Sequence, residues 1–354
     1  MRIIITGGGT GGHIFPALEI AKAFINHDKS IRITYVGNKD SLEERLAQNV
    51  GLDFFGLKAK QLVGQSIAKK LFALASLIIA IFQSLGFLIK NRPHAAIGVG
   101  GYVSAPLIIA CFILRIPRFI AEQNVVPGFA NKALGTIANK VFISFAESAP
   151  YFKTKTVLTG NPIRPQFFNI EKKEILSPLK ILISGGSLGA LFLNEEVPKA
   201  LAIIKKECPH FTVTHQTGQK KLLEVKQYYE QQQINAAVLS FIEDMPKAFN
   251  SHDLLISRAG ATVIAEIMAA GMPAILVPYR HANGHQRANA LALCEKEASR
   301  MVEEGEYFAS VLANTIKEFY QHQENLMLMS QKAKALATPK ASAHIVKEVL
   351  EYCS

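Results

Sequence analysis

The chain has 354 residues, of which 49% are hydrophobic and 19% are charged. This length suits two domains of about 100–200 residues each, and the apolar content excludes an intrinsically disordered protein. The formal net charge of +11 favours an anionic partner: nucleic acid, an anionic lipid surface or a phosphorylated substrate.

Cysteine spacing and the first residues of the chain favour a reducing, cytosolic setting. The cysteines are Cys111, Cys208, Cys294 and Cys353. They are far apart and form no Cys-x-x-Cys pair, which argues against both a zinc site and a disulfide framework. The chain opens on a strand-like run and lacks the basic and apolar pattern of a signal peptide.

Short apolar runs alternate with helical stretches in the first half of the chain. The predicted strands are residues 2–6, 31–37, 95–101, 118–124, 140–144 and 155–160. An amphipathic stretch from Pro16 to Phe24 predicts a helix after the first strand. Such alternation is typical of parallel βαβ units with helices on both faces of the sheet.

A glycine-rich loop, GGGTGG at residues 7–12, joins the first strand to this helix. It satisfies the G-x-G-x-x-G pattern, which lets a phosphate approach the backbone and the helix N-terminus. A dinucleotide would also need an acidic residue at the end of the second strand to hold its ribose, but Gly37 and Asn38 stand there. We therefore favour an oxyanion or a sugar phosphate at this loop over NAD. A tight turn without a ligand is the alternative.

Residues 71–89 form an uncharged apolar stretch just long enough to span a bilayer. It could be a spanning helix, a buried core helix or a helix in the membrane interface. A spanning helix would interrupt the βαβ alternation. Four basic residues that suit anionic headgroups flank the stretch: Lys69, Lys70, Lys90 and Arg92. We expect an interfacial helix. The residues expected to face lipid are Ile78, Ile81 and Leu85.

The strand and helix pattern restarts after GNPIRPQF at residues 160–167, which predicts a domain linker. The strands predicted beyond it are residues 179–184, 211–218, 236–242, 253–260 and 273–279. The first of these leads into a second glycine-rich turn, SGGSLGA, and a helix. We therefore expect two Rossmann-like domains, residues 1–159 and 160–337, and a closing helix over 338–354 that joins the first domain.

A third loop, within SRAGATVIAE at residues 257–266, also ends a strand and starts a helix. Glu266 lies four residues after Thr262 and therefore on the same helix face. A carboxylate close to an anion-binding helix start can accept hydrogen bonds from ribose hydroxyls. A solvated helix glutamate is the alternative.

Taken in order, these motifs resemble the MurG family of glycosyltransferases. They are TGGGTGGHIFPALEIA, GVGGYVSAP, EQNVVPGFAN, GNPIR, GGSLGA, SFIEDM, SRAGATVIAE and GMPAILVPY. The resemblance implies the α/β GT-B fold, in which two Rossmann-like domains with parallel sheets face each other across a cleft. It also implies transfer of N-acetylglucosamine from its UDP derivative to lipid I. The acceptor atom would be the C4 hydroxyl of the N-acetylmuramyl sugar, and the product would be lipid II, a peptidoglycan precursor.

The resemblance assigns the UDP-sugar to the second domain. There Glu266 would hold the uridine ribose, and the backbone of Ile242 would meet the uracil. Gln286 would contact the N-acetylglucosamine, and Arg164 would also lie on the donor. The diphosphate would meet Ser187 and the start of the helix near residue 260. The helix residues implied in donor binding are Ala261, Thr262, Val263, Ile264, Ala265 and Glu266.

The resemblance places Thr10, Gly11, Gly12 and Asn124 on the opposite, acceptor side. The donor sugar is α-linked and the family's product is β-linked, so the implied reaction inverts the anomeric centre in one displacement. No Asp-x-Asp pair occurs in the sequence, so we expect neither a metal nor a cofactor. Helix N-termini and Arg164 can provide the positive field for the departing UDP.

Two residues compete for the role of general base. His13 stands where the first glycine loop becomes a helix, and an unperturbed histidine titrates at about pH 6.5, close to the working range. Capping of the helix or a hydrogen bond to the loop is its structural alternative. Glu122 ends a strand that we expect to face the same cleft.

A polyprenyl acceptor implies a peripheral enzyme at the cytoplasmic face of the plasma membrane, bound to anionic lipid. Proteins of cell-wall synthesis and division are candidate partners. Other functions fit less well. An oxidoreductase would need the missing ribose carboxylate, and a UDP-sugar epimerase would need no apolar helix with basic flanks. A nucleic-acid binder would use the charge, but the sequence shows no aromatic-rich basic strand of RNA-binding type.

Overall fold

The computed structural model describes residues 1–58, 67–171, 178–186, 188–281 and 284–354, with side chains outside 67–73. The chain forms two compact units, Met1–Ile163 together with Lys340–Ser354, and Arg164–Pro339. The chain passes from the first unit to the second after Ile163, inside the expected linker, and returns to the first unit after Pro339. These two boundaries lie four and two residues beyond those expected at 159 and 337.

The first unit contains a parallel sheet with helices on both faces. Its strands are β1 (Arg2–Gly7), β2 (Arg32–Asn38), β3 (Asp53–Leu57), β4 (Ala95–Gly100), β5 (Arg118–Glu122), β6 (Lys140–Ile143) and β7 (Thr156–Leu158). The helices before the linker are α1 (Gly11–His27), α2 (Leu42–Asn49), α3 (Ile67–Asn91), α4 (Ser104–Ile113) and α5 (Phe129–Gly135). The strand order is β3-β2-β1-β4-β5-β6-β7. This is the doubly wound order, whose topological switch point lies between β1 and β4.

The second unit repeats this plan. Its strands are β8 (Leu179–Ser184), β9 (Phe211–Gln216), β10 (Ala236–Leu239), β11 (Leu254–Ser257), β12 (Ala274–Leu276) and β13 (Arg300–Met301). Its helices are α6 (Leu191–Ile204), α7 (Leu222–Gln231), α8 (Met245–Ser251), α9 (Ala261–Ala270), α10 (His285–Cys294), α11 (Phe308–Gln321) and α12 (Gln323–Ala335). The strand order β10-β9-β8-β11-β12-β13 puts the switch point between β8 and β11. Short 3-10 helices occupy Ala146–Tyr151, Pro165–Asn169 and Gln219–Lys221.

The last helix, α13 (Ala341–Cys353), belongs to the first unit and lies against α1. Ile345, Val346 and Val349 are buried in the same core cluster as the α1 side chains. Spacing of three and four residues puts these three side chains on one helix face. The C-terminal segment thereby completes the core on the α1 side of the sheet.

The structure differs from the predicted elements at one helix and two strands. Helix α1 starts at Gly11 rather than Pro16, because Thr10 is extended and the two following glycines already enter the helix. The predicted strands omitted β3 and β13. Strand β3 reads DFFGL, in which Asp and Gly weaken the strand signal, and β13 has only two residues. Both strands lie at the edges of their sheets.

Helix α3 contains the long apolar stretch. Among the described residues it alone is long and apolar enough to cross a membrane, over Leu74–Asn91, where mean hydropathy is 1.6 and 17% of the residues are buried. Ala80, Ser84 and Leu88 form a buried face at four-residue spacing. The chain enters α3 from β3 and leaves it into β4 of the same sheet, which argues against a spanning helix.

The exposed face of α3 is strongly apolar. Its large exposed side chains are Leu74, Ile78, Ile79, Phe82 and Ile89, with Phe82 69% exposed. Of the residues expected to face lipid, Ile78 does face outward. Leu85 was wrongly chosen: it packs against the core cluster on this side of the sheet, one residue after the buried Ser84.

Candidate active site

Two glycine-rich loops meet at the switch point of the first unit. The N–H of Gly8, after β1, donates to the carbonyl of Gly100 at the end of β4, at 3.3 Å. Gly101 has φ +81°, and a Cβ there would lie 2.2 Å from the Gly8 carbonyl oxygen. Only glycine permits this contact. The GVGG motif thereby fixes the loop that carries Thr10, Gly11 and Gly12 into α1.

His13 lies in the first turn of α1 and is half-buried. Its Nδ1 is 3.3 Å from the Gly8 carbonyl oxygen and 3.3 Å from Oγ1 of Thr10. Because a carbonyl only accepts, these partners place the proton on Nδ1 and leave Nε2 as the basic nitrogen. Gly100, with φ +118°, makes room for the ring, since a Cβ there would lie 2.7 Å from Cδ2 of His13.

Burial lowers the pKa of His13 below its usual value, and the charge of Glu122 and the Gly8 carbonyl act in the opposite direction. The imidazole is therefore neutral near pH 7. A neutral ring with a free Nε2 can accept a proton from a hydroxyl group.

Glu122 ends β5 and is 2% exposed. Oε1 accepts from the backbone N–H of Asn124 at 2.8 Å and from its amide at 2.9 Å. Oε2 accepts from the N–H of Gly128 at 3.2 Å and from the amide of Asn131 at 2.9 Å. Four donors hold this side chain in place, and two of them orient Asn124. These contacts favour an electrostatic role next to His13 over that of a mobile base.

The second unit pairs Arg164 with Glu266. Nη2 of Arg164 is 3.5 Å from Oε1 of Glu266, and its guanidinium lies 5.1 Å from the ring centroid of Phe167. Burial raises the pKa of the Glu266 carboxyl to about 7, against the opposing effect of Arg164. The side chain remains 13% exposed, so its carboxylate can reach a ligand. Ionised Glu266 can accept hydrogen bonds from hydroxyl groups.

Glu266 lies on α9, which starts directly after the strand at the switch point. Gly260 precedes this helix in an extended conformation and has no side chain that could cap it. Oγ1 of Thr262 is buried without a hydrogen-bond partner among the described residues. An unpartnered hydroxyl in the first turn of a helix suits an anionic ligand, which the helix dipole also favours.

The other α9 residues assigned to the donor differ in access. Val263 is half-buried, whereas the side chains of Ala261, Ile264 and Ala265 are buried, Ile264 completely. The N–H of Ile264 donates to the carbonyl of Gly260 at 3.0 Å. Among the α9 side chains assigned to the donor, Glu266 therefore carries the polar group that remains accessible, whereas the Thr262 hydroxyl is buried.

The glycine loop after β8 lies against the end of β9. Gly189 has φ +76°, and a Cβ there would lie 1.9 Å from the Thr217 carbonyl oxygen. Gln216 donates to the carbonyl of Gly186 at 2.7 Å and accepts from the N–H of Ile242 at 2.8 Å. Ser187, assigned to the diphosphate, lies outside the described residues.

Gln286 lies in the first turn of α10, and its Oε1 accepts from the N–H of Tyr279 at 2.9 Å. This hydrogen bond uses the amide oxygen and fixes the orientation of the amide. The Nε2 group is left as a donor that can bind a sugar. Asn289, on the same helix, is fully buried and donates to the carbonyl of Ala259 at 3.1 Å. It thereby supports the loop that leads to α9.

The structure brings His13 and Glu122 together in the first unit, and Arg164 and Glu266 in the second. The sequence analysis missed Gly100 and Asn131, which contact His13 and Glu122, and Gln216, which joins the loops after β8 and β10. Each stands in a motif at the carboxyl end of a strand, in GVGG, EQNVVPGFAN and THQTG. Ligand sites of open α/β sheets lie at those strand ends, which is the signal that could have found them.

The two units correspond to the two domains of one glycosyltransferase family. Residues 3–143 match the glycosyltransferase family 28 N-terminal domain, and residues 180–345 match the family 28 C-terminal domain. The chain has the GT-B fold class, and its enzyme class is that of a glycosyltransferase.

Full-length relatives narrow this class. One, from Geotalea uraniireducens, is 39% identical over 99% of this chain and 98% of its own length. It is named UDP-N-acetylglucosamine–N-acetylmuramyl-(pentapeptide) pyrophosphoryl-undecaprenol N-acetylglucosamine transferase. The crystal structure of Acinetobacter baumannii MurG is 31% identical, covers 99% of both chains and superposes with a TM-score of 0.80. The chain therefore belongs to the MurG family.

A more distant structure shares the fold alone. UDP-GlcNAc 2-epimerase from Neisseria meningitidis, bound to UDP-GlcNAc, superposes with a TM-score of 0.71 at 13% identity, covering 99% of this chain and all of its own. The architecture by itself therefore does not separate a transferase from an epimerase. The full-length relatives make that distinction.

Proposed function

We propose that this chain transfers N-acetylglucosamine from UDP-N-acetylglucosamine to the C4 hydroxyl of the N-acetylmuramyl sugar of lipid I. The product is lipid II, and the reaction inverts the anomeric centre. The observation that carries the proposal is the 39% identity to a named transferase over 99% of the chain. The side chains at the two switch points support the same reaction.

The second unit binds the donor in this proposal. Glu266 accepts hydrogen bonds from the uridine ribose, and the diphosphate lies at the start of α9 near Thr262. Arg164 contributes positive charge to the departing UDP and, through its pairing with Glu266, favours the ionised carboxyl. The N-terminus of α9 and one guanidinium stabilise the leaving group, so the proposal requires no metal.

The first unit binds the acceptor, with Thr10, Gly11, Gly12 and Asn124 close to the reacting group. His13 takes the proton from the attacking hydroxyl through Nε2. The charge of Glu122 stabilises the imidazolium that forms, which is the role of a buried carboxylate next to a basic histidine. The four hydrogen bonds to Glu122 keep that charge in place.

The apolar face of α3 attaches the enzyme to the cytoplasmic face of the plasma membrane in this proposal. A half-exposed helix with large apolar side chains on one face is typical of peripheral binding. The net charge of +11 adds attraction to anionic headgroups. A polyprenyl-linked acceptor lies in the bilayer, so the enzyme that modifies it must reach the membrane surface.

A direct test measures UDP release from UDP-N-acetylglucosamine with and without a lipid I analogue. The proposal expects UDP release that depends on the analogue, together with a disaccharide product of β configuration. Acceptor-independent conversion of UDP-N-acetylglucosamine to its 2-epimer would instead identify an epimerase. Absence of both reactions in protein that binds the donor would contradict the acceptor assignment.

A further inference from the structure

Gln216 is a buried amide at the end of β9 that the reaction chemistry does not use. It is 1% exposed. Nε2 donates to the carbonyl of Gly186 at 2.7 Å, and Oε1 accepts from the N–H of Ile242 at 2.8 Å. Both partners have a fixed role, one as acceptor and one as donor, so they define which end of the amide is oxygen.

The two partners of Gln216 belong to different segments of the second unit. Gly186 lies in the glycine loop after β8, and Ile242 lies in the loop after β10. The donor assignment gives the first loop to the diphosphate and the second to the uracil. One side chain therefore joins the segments that would hold opposite ends of UDP.

The surrounding backbone favours a fixed spacing between these segments. The Thr217 carbonyl, next to Gln216, accepts from the amide of Asn194 at 2.8 Å. Asn194 in turn lies 3.2 Å from Nε2 of His215, whose Nδ1 is 3.0 Å from the Tyr229 hydroxyl. Strand β9 is thus tied to α6 and α7 from within the core, and Gln216 extends that rigid strand end to both loops.

We infer that Gln216 is a positioning residue that couples the uracil-binding segment to the diphosphate-binding loop. This inference rests on the proposed donor site in the second unit. A ligand that contacts both loops then finds them already at the required distance from each other. Less conformational entropy is therefore lost on binding. Gln216 acts on the donor only through the two loops.

The test replaces Gln216 with Met, which has similar length and flexibility but cannot make either hydrogen bond. The probes are UDP-N-acetylglucosamine and uridine, the second of which lacks the diphosphate. We expect Gln216→Met to raise the Kd of UDP-N-acetylglucosamine about tenfold, because the two loops lose their common tie and the Ile242 N–H loses its partner, while the Gly186 carbonyl keeps the N–H of Gly189 at 3.0 Å. The Kd of uridine, which would contact only one of the loops, should rise less. At saturating donor, kcat should stay within about twofold of wild type, since bound donor still meets the same reacting groups.

Thr214→Val is the matched control. Thr214 lies two residues earlier on β9, and its Oγ1 is 2.8 Å from Nε2 of His252, away from both loops. The control loses one hydrogen bond on the same strand and should leave both Kd values unchanged. A Kd for UDP-N-acetylglucosamine that is the same in Gln216→Met and Thr214→Val, or a rise in Gln216→Met that is equally large for uridine, would overturn the inference.

Hydrogen exchange provides a readout independent of binding. The Ile242 amide, bonded to Gln216 in wild type, should exchange faster in Gln216→Met, while amides of the central strand β8 keep their protection. Unchanged exchange at Ile242 would overturn the inference. If the Met variant does not fold, Gln216→Asn shortens the side chain and should show the same changes. Wild-type protein that fails to bind UDP-N-acetylglucosamine would instead contradict the proposed function.

Discussion

Arg164 and Glu266 are paired in the second unit, with 3.5 Å between Nη2 of the guanidinium and Oε1 of the carboxyl group. The pairing does not compensate for burial, which still raises the pKa of Glu266 to about 7. A carboxyl that titrates near neutrality makes any ligand that needs its charge sensitive to pH.

Donor affinity should therefore rise with pH. Ribose hydroxyls donate to an ionised carboxyl, and the ionised fraction of Glu266 grows as pH rises through about 7. Between pH 8 and pH 6 the Kd for UDP-N-acetylglucosamine should increase about tenfold, in proportion to the loss of the competent form. Titration calorimetry checks this. Glu266→Gln is the control, with weaker binding that is flat across the same range. A flat wild-type profile would contradict the ribose assignment.

The same carboxyl should affect stability in the opposite direction. Its folded pKa of about 7 exceeds the unfolded value of 4.5, so the folded state binds the extra proton. Its stabilising contribution is present below pH 4.5 and is lost as pH rises through 7. Without donor, Glu266→Gln should gain about 1–3 kcal/mol relative to wild type between pH 5 and pH 8. Urea unfolding at both values measures the change, and a constant difference would mean that burial does not shift this group.

Glu266 and Gln216 show what a sequence can and cannot predict. Glu266 was predicted because strand, glycine and helix signals bracket it within ten residues. Gln216 was not, since its partners Gly186 and Ile242 are 30 and 26 residues away along the chain. Local patterns mark where strands end, whereas side-chain contacts across strand ends depend on the sheet order.

Helix α3 is a second case in which the sequence predicted an element but not which of its side chains are exposed. Its composition predicted a helix, but the hydrophobic residues surround it on all sides, so periodicity did not identify the lipid face. The wrong choice of Leu85 follows from that, because only packing against the core distinguishes Leu85 from Phe82. The edge strand β3 was not predicted for a related reason. Its Asp and Gly residues have a weak preference for strands, and pairing with β2 overrides that preference.

Membrane binding should depend on the exposed face of α3. Replacing Ile78, Ile79 and Phe82 with serine removes side chains that are 48%, 53% and 69% exposed. Burial of a large apolar side chain contributes about 1.5–3 kcal/mol, so partitioning onto anionic vesicles should fall more than about tenfold. Cosedimentation with vesicles containing phosphatidylglycerol measures this, and high salt should partly release the wild type.

The matched control removes three exposed apolar side chains from the second unit. Leu223, Val311 and Leu328 are 71%, 49% and 52% exposed, and their replacement with serine should leave vesicle binding unchanged. Equal loss in both triple variants would mean that α3 has no special role at the membrane. Because the α3 positions are exposed, thermal stability should change little in either variant.

His13 should determine the rate of transfer and not the affinity for the donor. General base catalysis typically contributes about 100–10,000-fold, so His13→Ala should lower kcat by that range. His13→Asn is the sharper variant, because an amide can still donate to the Gly8 carbonyl but cannot take the proton. Calorimetry should find the Kd for UDP-N-acetylglucosamine unchanged in both, since every donor contact proposed lies in the second unit. An asparagine variant that keeps most of its turnover would make His13 a structural residue.

The pH profile separates His13 from Glu122. Burial lowers the pKa of His13 and the charge of Glu122 opposes this, so at saturating donor wild-type kcat should fall only below about pH 6.5. Glu122→Gln removes the opposing charge, and the acid limb should move to still lower pH. The same change leaves amide hydrogens facing donors such as Gly128 and Asn131, so it should also lower the melting temperature. If Glu122 were instead the base, Glu122→Gln would abolish turnover and the acid limb would disappear with it. A folded Glu122→Gln variant that has measurable turnover and an unchanged acid limb would contradict the claim that the charge of Glu122 raises the pKa of His13.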